Sequence, residues 1–166
     1  GWLSLMRIDT RHRVIEVGSI LYTPAMQRTP LATEAQFLLA RHVFEDLGYR
    51  RFEWKCNELN APSKRAAVRF GFSYEGLFRQ HMIVKGRNRD TAWFAMLDHE
   101  WPEHKAEYER WLAPTNFDAD GRQRTQYGRV ERHCGRRRRT LEALAFGELG
   151  LCANGGERRR GSTQRQ

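Results

Sequence analysis

Cysteines are too few and too far apart in this sequence to build a disulfide framework. Cys56, Cys134 and Cys152 form no Cys-x-x-Cys pair, and a structural zinc site normally needs such paired ligands. The histidines show no His-Glu-x-x-His spacing either, so a metalloprotease-type site is excluded. We therefore expect no metal site, and the cysteine usage is typical of a reducing cytoplasm.

Long apolar segments are also absent. No run of 18 apolar residues occurs, so the sequence predicts no transmembrane helix. The chain opens Gly1-Trp2-Leu3-Ser4-Leu5, without the charged and apolar regions of a signal peptide, and no internal repeat is visible. We expect a cytoplasmic protein with no membrane contact, and we interpret this apolar opening as the middle of a domain.

Positive charge is concentrated at one end of the chain. The formal net charge is +9, but residues 121–166 hold 12 of the 29 Lys and Arg and 4 of the 20 Asp and Glu. Residues 1–120 keep the remaining 17 basic and 16 acidic residues and are close to neutral. This division predicts a domain over 1–120 and a basic, disordered tail over 121–166, with one short helix at 141–151. Two other interpretations of the tail are an RNA-binding arm and the product of a shifted reading frame.

Residues 1–120 alternate between strand and helix patterns. β-Branched and alternating apolar residues predict strands, while caps, helical spacing and terminal glycines predict helices. Gly18 within a strand indicates a bulge or a close backbone approach. The predicted strands are 2–8, 14–22, 49–56, 72–84 (bent at Gly76) and 90–98, and the predicted helices are 29–48, 60–71 and 100–112.

The core is predicted from apolar spacing. In the first helix, an apolar side at helical spacing is expected to face inward, with His42 as a packed core histidine. Its residues are Leu31, Ala35, Leu38, Leu39, His42, Val43 and Leu47. His81 is expected to face solvent. Five aromatic residues are interpreted as core, and not as a base-stacking platform: Trp93, Phe94, Trp101, Tyr108 and Trp111.

One candidate site lies where the second strand runs into the first helix. The first amides of a helix have no internal partner and favour an anion such as a diphosphate. Arg28 would add a cation beside them. Thr29 would instead cap the amides of Leu31 or Ala32 if this is an ordinary capped helix, and would then compete with a phosphate.

A second candidate site opens the second helix, where Asn60 and Ser63 could either cap the helix or contact a ligand. A carboxylate at the mouth of a cleft could act as general base for an ammonium substrate. Such a carboxylate could equally face water. The carboxylates considered for this role are Glu16, Glu34, Glu53 and Asp90.

The order of these parts resembles the GNAT superfamily of acetyltransferases, and most closely its branch of ribosomal-protein N-terminal acetyltransferases. The resemblance covers about residues 1–113. It is carried by Ile15–Pro24 as the central strand and by Gln27–Ala35 as the cofactor loop and helix start. It is also carried by the Asn60…Ser63…Gly71-Phe72 segment, and by closing strands containing Tyr74–Arg79, Gly86–Asp90 and Glu100-Trp101.

The resemblance implies an α/β fold with a mixed, mostly antiparallel, splayed sheet flanked by helices and with acetyl-CoA between two strands. The backbone of Ile20, Leu21 and Tyr22 would pair with pantetheine. The diphosphate would lie near Arg28, Thr29, Leu31, Ala32 and Thr33, and Asn60 and Ser63 would contact the cofactor from the other side. The implied reaction is direct attack of a neutral amine on the thioester, for which the candidate catalytic residues are Glu16, Glu53 and Ser63.

The sequence departs from the family pattern at three points. Thr29-Pro30-Leu31-Ala32 replaces a glycine-containing phosphate loop, and Ala67 stands where many relatives have a tyrosine acid. Ser63, Tyr22 or Tyr74 would then supply the proton, unless the thiolate leaves unaided. The strand, two helices and strand that normally precede this segment are expected to be missing, which would leave an apolar sheet edge exposed.

The acceptor implied by the resemblance is a primary amine, on a protein N-terminus or a small molecule. Two competing hypotheses remain. One is a non-catalytic nucleic-acid or ribosome-binding module that uses Arg136–Arg139 and Arg158–Arg160. The other is an inactive fragment. The sequence indicates no oligomeric state.

Overall fold

The computed structural model describes residues 1–125 and Tyr127. The predicted tail helix at 141–151 and the arginine clusters beyond residue 135 lie outside the described residues. The described part forms five strands and three helices, with a π-helical turn after the first helix and a 3₁₀ turn after the last. These elements are β1 (Trp2–Asp9), β2 (Val14–Leu21), α1 (Pro30–Arg41), the π turn (His42–Asp46), β3 (Arg51–Asn57), α2 (Ala61–Arg69), β4 (Ser73–Val84), β5 (Arg87–Leu97), α3 (Trp101–Leu112) and the 3₁₀ turn (Pro114–Asn116).

The strands form one mixed sheet in the order β1-β2-β3-β5-β4. β2 and β3 are parallel, and the other neighbouring pairs are antiparallel. The predicted α/β class with a mostly antiparallel sheet is therefore confirmed. The parallel pair arises because α1 connects β2 to β3 as a crossover, whereas β1–β2 and β4–β5 are joined by short turns.

One face of the sheet carries the helices and the apolar core. Ile15 and Val17 of β2 lie beside Phe52 and Trp54 of β3, and these side chains are almost fully buried. They belong to a single hydrophobic cluster with side chains from α1, α2 and α3. Since successive strand residues point to opposite faces, Glu16, Glu53 and Lys55 lie on the other face, which we call the polar face.

The inward side of α1 differs from the prediction. Leu31 and Leu38 are 56% and 44% exposed, while Thr33 and Gln36 are fully buried. Thr33 is hydrogen-bonded, whereas Gln36 has a contact at its oxygen and none at its amide nitrogen among the described residues. Thr33 Oγ1 accepts hydrogen bonds from Arg69 at 3.0 Å, and Gln36 Oε1 lies 3.5 Å from the Tyr22 hydroxyl. Polar anchoring thus outweighs the apolar stripe.

Two further core predictions need correction. The His42 side chain is 49% exposed and lies 2.8 Å from Asp46 Oδ2, because the chain changes to π-helical geometry at this residue. Val43 beside it is buried, as predicted. Trp93 is half-buried on the polar face, not in the main core. The other four predicted aromatics, Phe94, Trp101, Tyr108 and Trp111, are buried, and His81 is exposed as expected.

The described chain continues past residue 120 in contact with the fold. The Trp111 indole donates to the Thr125 carbonyl at 3.1 Å, and Tyr127 is buried against Tyr108, with 4.8 Å between ring centroids. The predicted boundary at residue 120 therefore lies inside a packed segment. At the edges of the sheet, Trp2 and Ile8 of β1 and Ile83 of β4 are exposed.

Gly71 offers a stability prediction. Its φ is 90°, and an added Cβ would lie 2.8 Å from His104 Nδ1 and 3.1 Å from Met96 Cε. We expect Gly71→Ala to lower the free energy of unfolding by about 2 kcal/mol, through backbone strain and crowding. Urea denaturation measures this loss.

Gly48→Ala is the matched control. Gly48 also has a positive φ, 66°, but an added Cβ there would meet nothing within 4 Å. It should therefore cost only the backbone term, about 1 kcal/mol. Equal losses for the two variants would mean that the contact with His104 and Met96 contributes nothing.

Candidate functional site

The central feature of the site is a gap between the two parallel strands. β2 and β3 pair from Val14 and Arg51 as far as Val17 and Trp54. Beyond that point β2 continues to Leu21, while the last residues of β3 pair with β5 alone. A register shift against β1 and a φ of 50° at Ser19 accompany the separation. The β2 edge that includes the predicted Ile20 and Leu21 thus faces an opening, and not a neighbouring strand.

The N-termini of α1 and α2 follow the two strands that separate. In α/β sheets, ligands bind in the crevice outside the carboxyl ends of such strands, because loop and helix amides converge there. The two helix tips that the sequence predicts to bind a ligand, around Thr29 and around Asn60, therefore each follow one of the strands that part at the gap.

The tip of α1 is not capped by a side chain. Thr29 occupies the N-cap with extended backbone angles, but its hydroxyl donates to the Met26 carbonyl at 2.7 Å. The expectation that Thr29 caps Leu31 or Ala32 is therefore wrong, because the hydroxyl turns back towards the preceding turn and its oxygen accepts from no helix amide. The first amides of α1 keep their capacity to bind an anion.

The tip of α2 is capped. Asn60 Oδ1 accepts a hydrogen bond from the Ser63 amide at 3.1 Å. The Ser63 hydroxyl in turn accepts from the Trp54 indole nitrogen at 3.0 Å. Since Trp54 is the last β3 residue paired with β2, this bond fixes Ser63 beside the point where the strands part.

Arg69 lies beside the start of α1, and no motif in the sequence pointed to it. Both terminal nitrogens of its guanidinium donate to Thr33 Oγ1 in the first helical turns of α1. The group also lies over the rings of Phe70, Trp111 and Tyr127, with the nearest centroid at 5.2 Å. Burial lowers the pKa of Arg69, yet a guanidinium remains charged in proteins. Within residues 1–125 no carboxylate forms an ion pair with it.

Tyr22 directly follows β2, where the loop that leads to α1 begins. Burial raises the pKa of Tyr22 to about 12, and the nearby Arg69 charge only partly opposes this. The phenol is therefore protonated at neutral pH and able to donate a proton or a hydrogen bond. Its backbone carbonyl accepts a hydrogen bond from Gln27 Nε2 at 2.8 Å, and its hydroxyl lies 3.5 Å from Gln36 Oε1.

The predicted carboxylates Glu16 and Glu53 meet on the polar face in a charged ladder, which we define as Arg7, Glu16, Lys55, Glu53, Arg51 and Glu75. Arg7 contacts both oxygens of Glu16 at 2.7 and 2.9 Å. Lys55 Nζ lies 3.0 Å from Glu16 and 2.6 Å from Glu53. Arg51 Nε donates to Glu53 at 2.7 Å and its terminal nitrogens pair with Glu75.

The ladder lowers the pKa of Glu53. Burial acts to raise the pKa of Glu53, but hydrogen bonds from Lys55 and Arg51 outweigh it, and the pKa is lowered. A carboxylate with a lowered pKa is a weaker proton acceptor. The other two candidates are placed differently: Glu34 is exposed on α1, and Asp90 accepts from the Gln80 amide and the Asn88 side chain.

Other kinds of site find no support in the described part of the chain. Residues 1–125 and 127 contain no group of three or more His, Cys, Asp or Glu side chains placed to hold a metal ion. None of the described helices has the length and apolar character needed to cross a bilayer.

A separated parallel strand pair beside an uncapped helix tip is the arrangement of a GNAT-type acetyltransferase domain, and comparison with known proteins agrees. Residues 1–73 match the family model described as "Acetyltransferase (GNAT) domain". Residues 1–73 therefore correspond to part of a GNAT-type acetyltransferase domain.

Two relatives illustrate the similarity. The chain is 28% identical over 105 residues to the putative ribosomal N-acetyltransferase YdaF of Bacillus subtilis, covering 63% of this chain and 57% of that protein. It is 60% identical to a crystal structure of a GCN5-related N-acetyltransferase from Brucella melitensis, with a TM-score of 0.74, covering 75% of this chain and 57% of that one. The chain thus spans little more than half the length of these relatives.

Proposed function

We propose that this chain carries the acetyl-CoA-binding part of an N-acetyltransferase that acts on a primary amine. The observation that carries the proposal is the separation of β2 from β3 after Val17 and Trp54, at the side-chain-uncapped tip of α1. An open strand edge can pair with the amide groups of pantetheine, and an uncapped helix tip can hold a diphosphate. Acetyl-CoA carries both groups on one molecule and supplies an activated acetyl thioester.

Different residues would bind different parts of the cofactor. The backbone of Ile20, Leu21 and Tyr22 would pair with pantetheine. The amides of Leu31, Ala32 and Thr33, with the charge of Arg28, would hold the diphosphate. Arg69 supports this part, because it places a buried positive charge against Thr33. Asn60 and Ser63 would contact the cofactor from the other side of the gap, beyond the bond that fixes Ser63 to Trp54.

The chain's chemical task is then to orient two substrates and to move one proton. A backbone N–H near Leu21 and Tyr22 would polarise the thioester carbonyl. Glu16 or Glu53 would receive the amine proton if one of its ion pairs separates and exposes the carboxylate to the acceptor. The departing thiolate would be protonated by Ser63 or Tyr22, with Tyr74 as the third candidate, and burial keeps both phenols protonated at neutral pH by raising their pKa values.

Isothermal titration of the full chain tests the proposal. We expect acetyl-CoA to bind with a dissociation constant of roughly 1–100 μM, in the range typical of enzyme substrates. S-Acetyl-pantetheine, which lacks the diphosphate, should bind at least about tenfold more weakly, because the helix tip contributes nothing to it.

Coenzyme A serves as the control ligand in the same titration. It keeps the diphosphate and lacks the acetyl group, so its affinity should lie close to that of acetyl-CoA. No binding of acetyl-CoA, or equal binding of the compound without the diphosphate, would contradict the proposed site.

A further inference from the structure

The polar face of the sheet has an aromatic centre next to the gap. Trp93 of β5 pairs in register with Lys55, which directly follows the last β3 residue paired with β2. Phe78 stacks on Trp93 with 4.3 Å between ring centroids, and His81 meets its edge at 5.9 Å. Lys55 Nζ lies 3.9 Å from the Trp93 ring centroid. Phe78 itself is 47% exposed, so a ligand would reach this centre at the Phe78 ring.

The carboxylates near this centre are already neutralised. Glu16 and Glu53 share the Lys55 ammonium and are further paired with Arg7 and Arg51. Glu75 is paired with Arg51 as well. None of the three is left to attract a cationic acceptor, so the ladder has no net attraction for a polyamine.

The hairpin beyond the centre is strongly basic. Residues 79–90 contain four cations, Arg79, Lys85, Arg87 and Arg89, and a single carboxylate. That carboxylate, Asp90, is engaged by the Gln80 amide and Asn88. The ion pairs found within the described ranges include none of the four cations. The hairpin therefore offers uncompensated positive charge.

Two of these cations lie on the same face as the aromatic centre. Arg87, Arg89 and Trp93 are separated by even numbers of residues along β5, so their side chains point to one side of the sheet. Arg89 is about 13 Å from Trp93 along the strand, at about 3.4 Å per residue. Arg89 Nε and the Trp93 indole nitrogen are donors with no partner among the described residues. Both atoms are buried, so they mark unsatisfied hydrogen-bonding capacity beneath the surface of this face and not a contact exposed to a ligand.

We propose that the acceptor is the α-amine of a peptide whose next residues are acidic. This inference rests on the proposed function, because it identifies the substrate of that same site. The amine would lie over the Trp93 and Lys55 end of the polar face, and the acidic residues would run along the hairpin towards Arg89 and Arg87. The span of about 13 Å matches about four extended residues.

The same positive charge assists the chemistry. An α-amine has a pKa of about 8, against about 10.4 for a lysine-type amine, and nearby cations lower it further. The neutral amine attacks the thioester carbon through its lone pair. A C–N bond forms, the C–S bond breaks with its electron pair on sulfur, and the amine proton ends on that thiolate. A basic face thus favours the nucleophilic form of the acceptor.

A peptide is favoured over single-stranded RNA. Binding of single-stranded nucleic acid relies on several aromatic rings on which successive bases stack. On the polar face, Phe78 has the exposed ring, while Trp93 is covered on its two sides by Phe78 and Lys55. The face also lies beside the gap proposed for acetyl-CoA, where an amine is required.

The test uses the full chain and three C-terminally labelled hexapeptides that begin with serine and continue with acidic, neutral or basic residues. Fluorescence anisotropy at low salt should show the acidic peptide binding at least about tenfold more tightly than the neutral one, with the difference shrinking at physiological salt. Equal binding of the three peptides would overturn the proposal. So would tighter binding of a single-stranded oligoribonucleotide of equal charge.

A matched pair of variants locates the binding. Arg87→Glu reverses an exposed charge on the hairpin, and Arg110→Glu makes the same change on the exposed side of α3. We expect a three- to tenfold loss of acidic-peptide affinity, roughly that of an exposed charge reversal, for Arg87→Glu and none for Arg110→Glu. Since the arginines beyond residue 127 also attract acidic peptides, equal losses in the two variants would overturn the proposal.

Acetyl-CoA titration of both variants separates this inference from the proposed function. Retained cofactor binding with no preference for acidic peptides sinks the acceptor assignment alone. Absent cofactor binding sinks the proposed function, while the peptide preference of the polar face is still read directly by anisotropy. Gly76→Leu tests the site by steric blocking. Gly76 pairs with Trp93, and a Cβ at Gly76 meets nothing within 4 Å, so the new side chain fits without disturbing the fold. It should weaken acidic-peptide binding and leave cofactor binding intact.

Discussion

Replacing Lys55 with methionine is expected to lower the free energy of unfolding by about 3–5 kcal/mol, because it leaves two buried carboxylates facing each other without their shared cation. Glu16 and Glu53 are directly opposite residues of parallel strands, and their side chains are 4% and 8% exposed. Arg7 and Arg51 would still contact one carboxylate each. Neither reaches both carboxylates, so the repulsion between them is not relieved.

The measurement is urea denaturation of the full chain, with Lys105→Met as the matched control. Lys105 also pairs with a glutamate, Glu45 at 2.8 Å, but both side chains are about one-third exposed. Exposed ion pairs contribute little, so the control should denature close to the parent chain. If the two variants are destabilised equally, the ladder is not the structural element described here.

The pH dependence follows from the lowered pKa of Glu53. A carboxylate whose folded pKa is depressed contributes stability above its unfolded pKa, near 4.3, and loses it as pH falls through the folded pKa. The parent chain should therefore lose this contribution as pH falls from about 4.3 to the lower folded pKa of Glu53. In Lys55→Met the Glu53 pKa rises, so the corresponding acid transition should begin at higher pH.

The elements of the fold could be predicted from the sequence because they depend on local signals. Strand alternation and the glycines that end α1 and α2 are local, and Gly48 and Gly71 indeed have positive φ angles. Gly18 was expected to permit a close approach. A Cβ there would meet the Met6 side chain of β1, so the close approach is present, and a larger residue would require that flexible side chain to move.

The inward side of α1 could not be predicted because it is decided by a residue 36 positions away. Thr33 is buried against Arg69, which belongs to α2. An apolar stripe is a good guide only where every buried position is filled by packing alone. Here a hydrogen bond between helices accompanies a rotation of α1 that turns Leu31 and Leu38 outwards, while Leu39 and Val43 stay against the core.

The charged ladder could not be predicted from the sequence either, because it also depends on contacts between residues that are far apart in the chain. Alternation put Glu16 and Glu53 on some face of their strands, but their pairing depends on the parallel register of β2 with β3. The sequence offered two isolated candidate bases. The structure places both carboxylates against the Lys55 ammonium, so they are members of an ion-pair network and not free proton acceptors. A catalytic role for either stays a prediction.

Thr29→Asp is expected to weaken acetyl-CoA binding by about 100-fold while leaving the chain as stable as before, or more so. Aspartate is a favoured N-cap, and the α1 tip at present has no side-chain cap, so the helix itself should gain from the change. A carboxylate at this position would occupy the same amides as the diphosphate and repel its charges. At an effective dielectric constant of about 20 this repulsion is worth a few kcal/mol, which corresponds to about two orders of magnitude in affinity.

Thr29→Asn separates charge from capping in the same titration. Asparagine also caps helices well but adds no charge, so it should weaken binding several-fold less than aspartate does. The two variants together distinguish competition for the amides from electrostatic repulsion. Because Thr29 directs its hydroxyl to Met26, either replacement also removes that turn contact, and this shared loss cancels in the comparison. Unchanged acetyl-CoA affinity in Thr29→Asp would mean that the diphosphate does not bind at the tip of α1, and the proposed site would have to be abandoned.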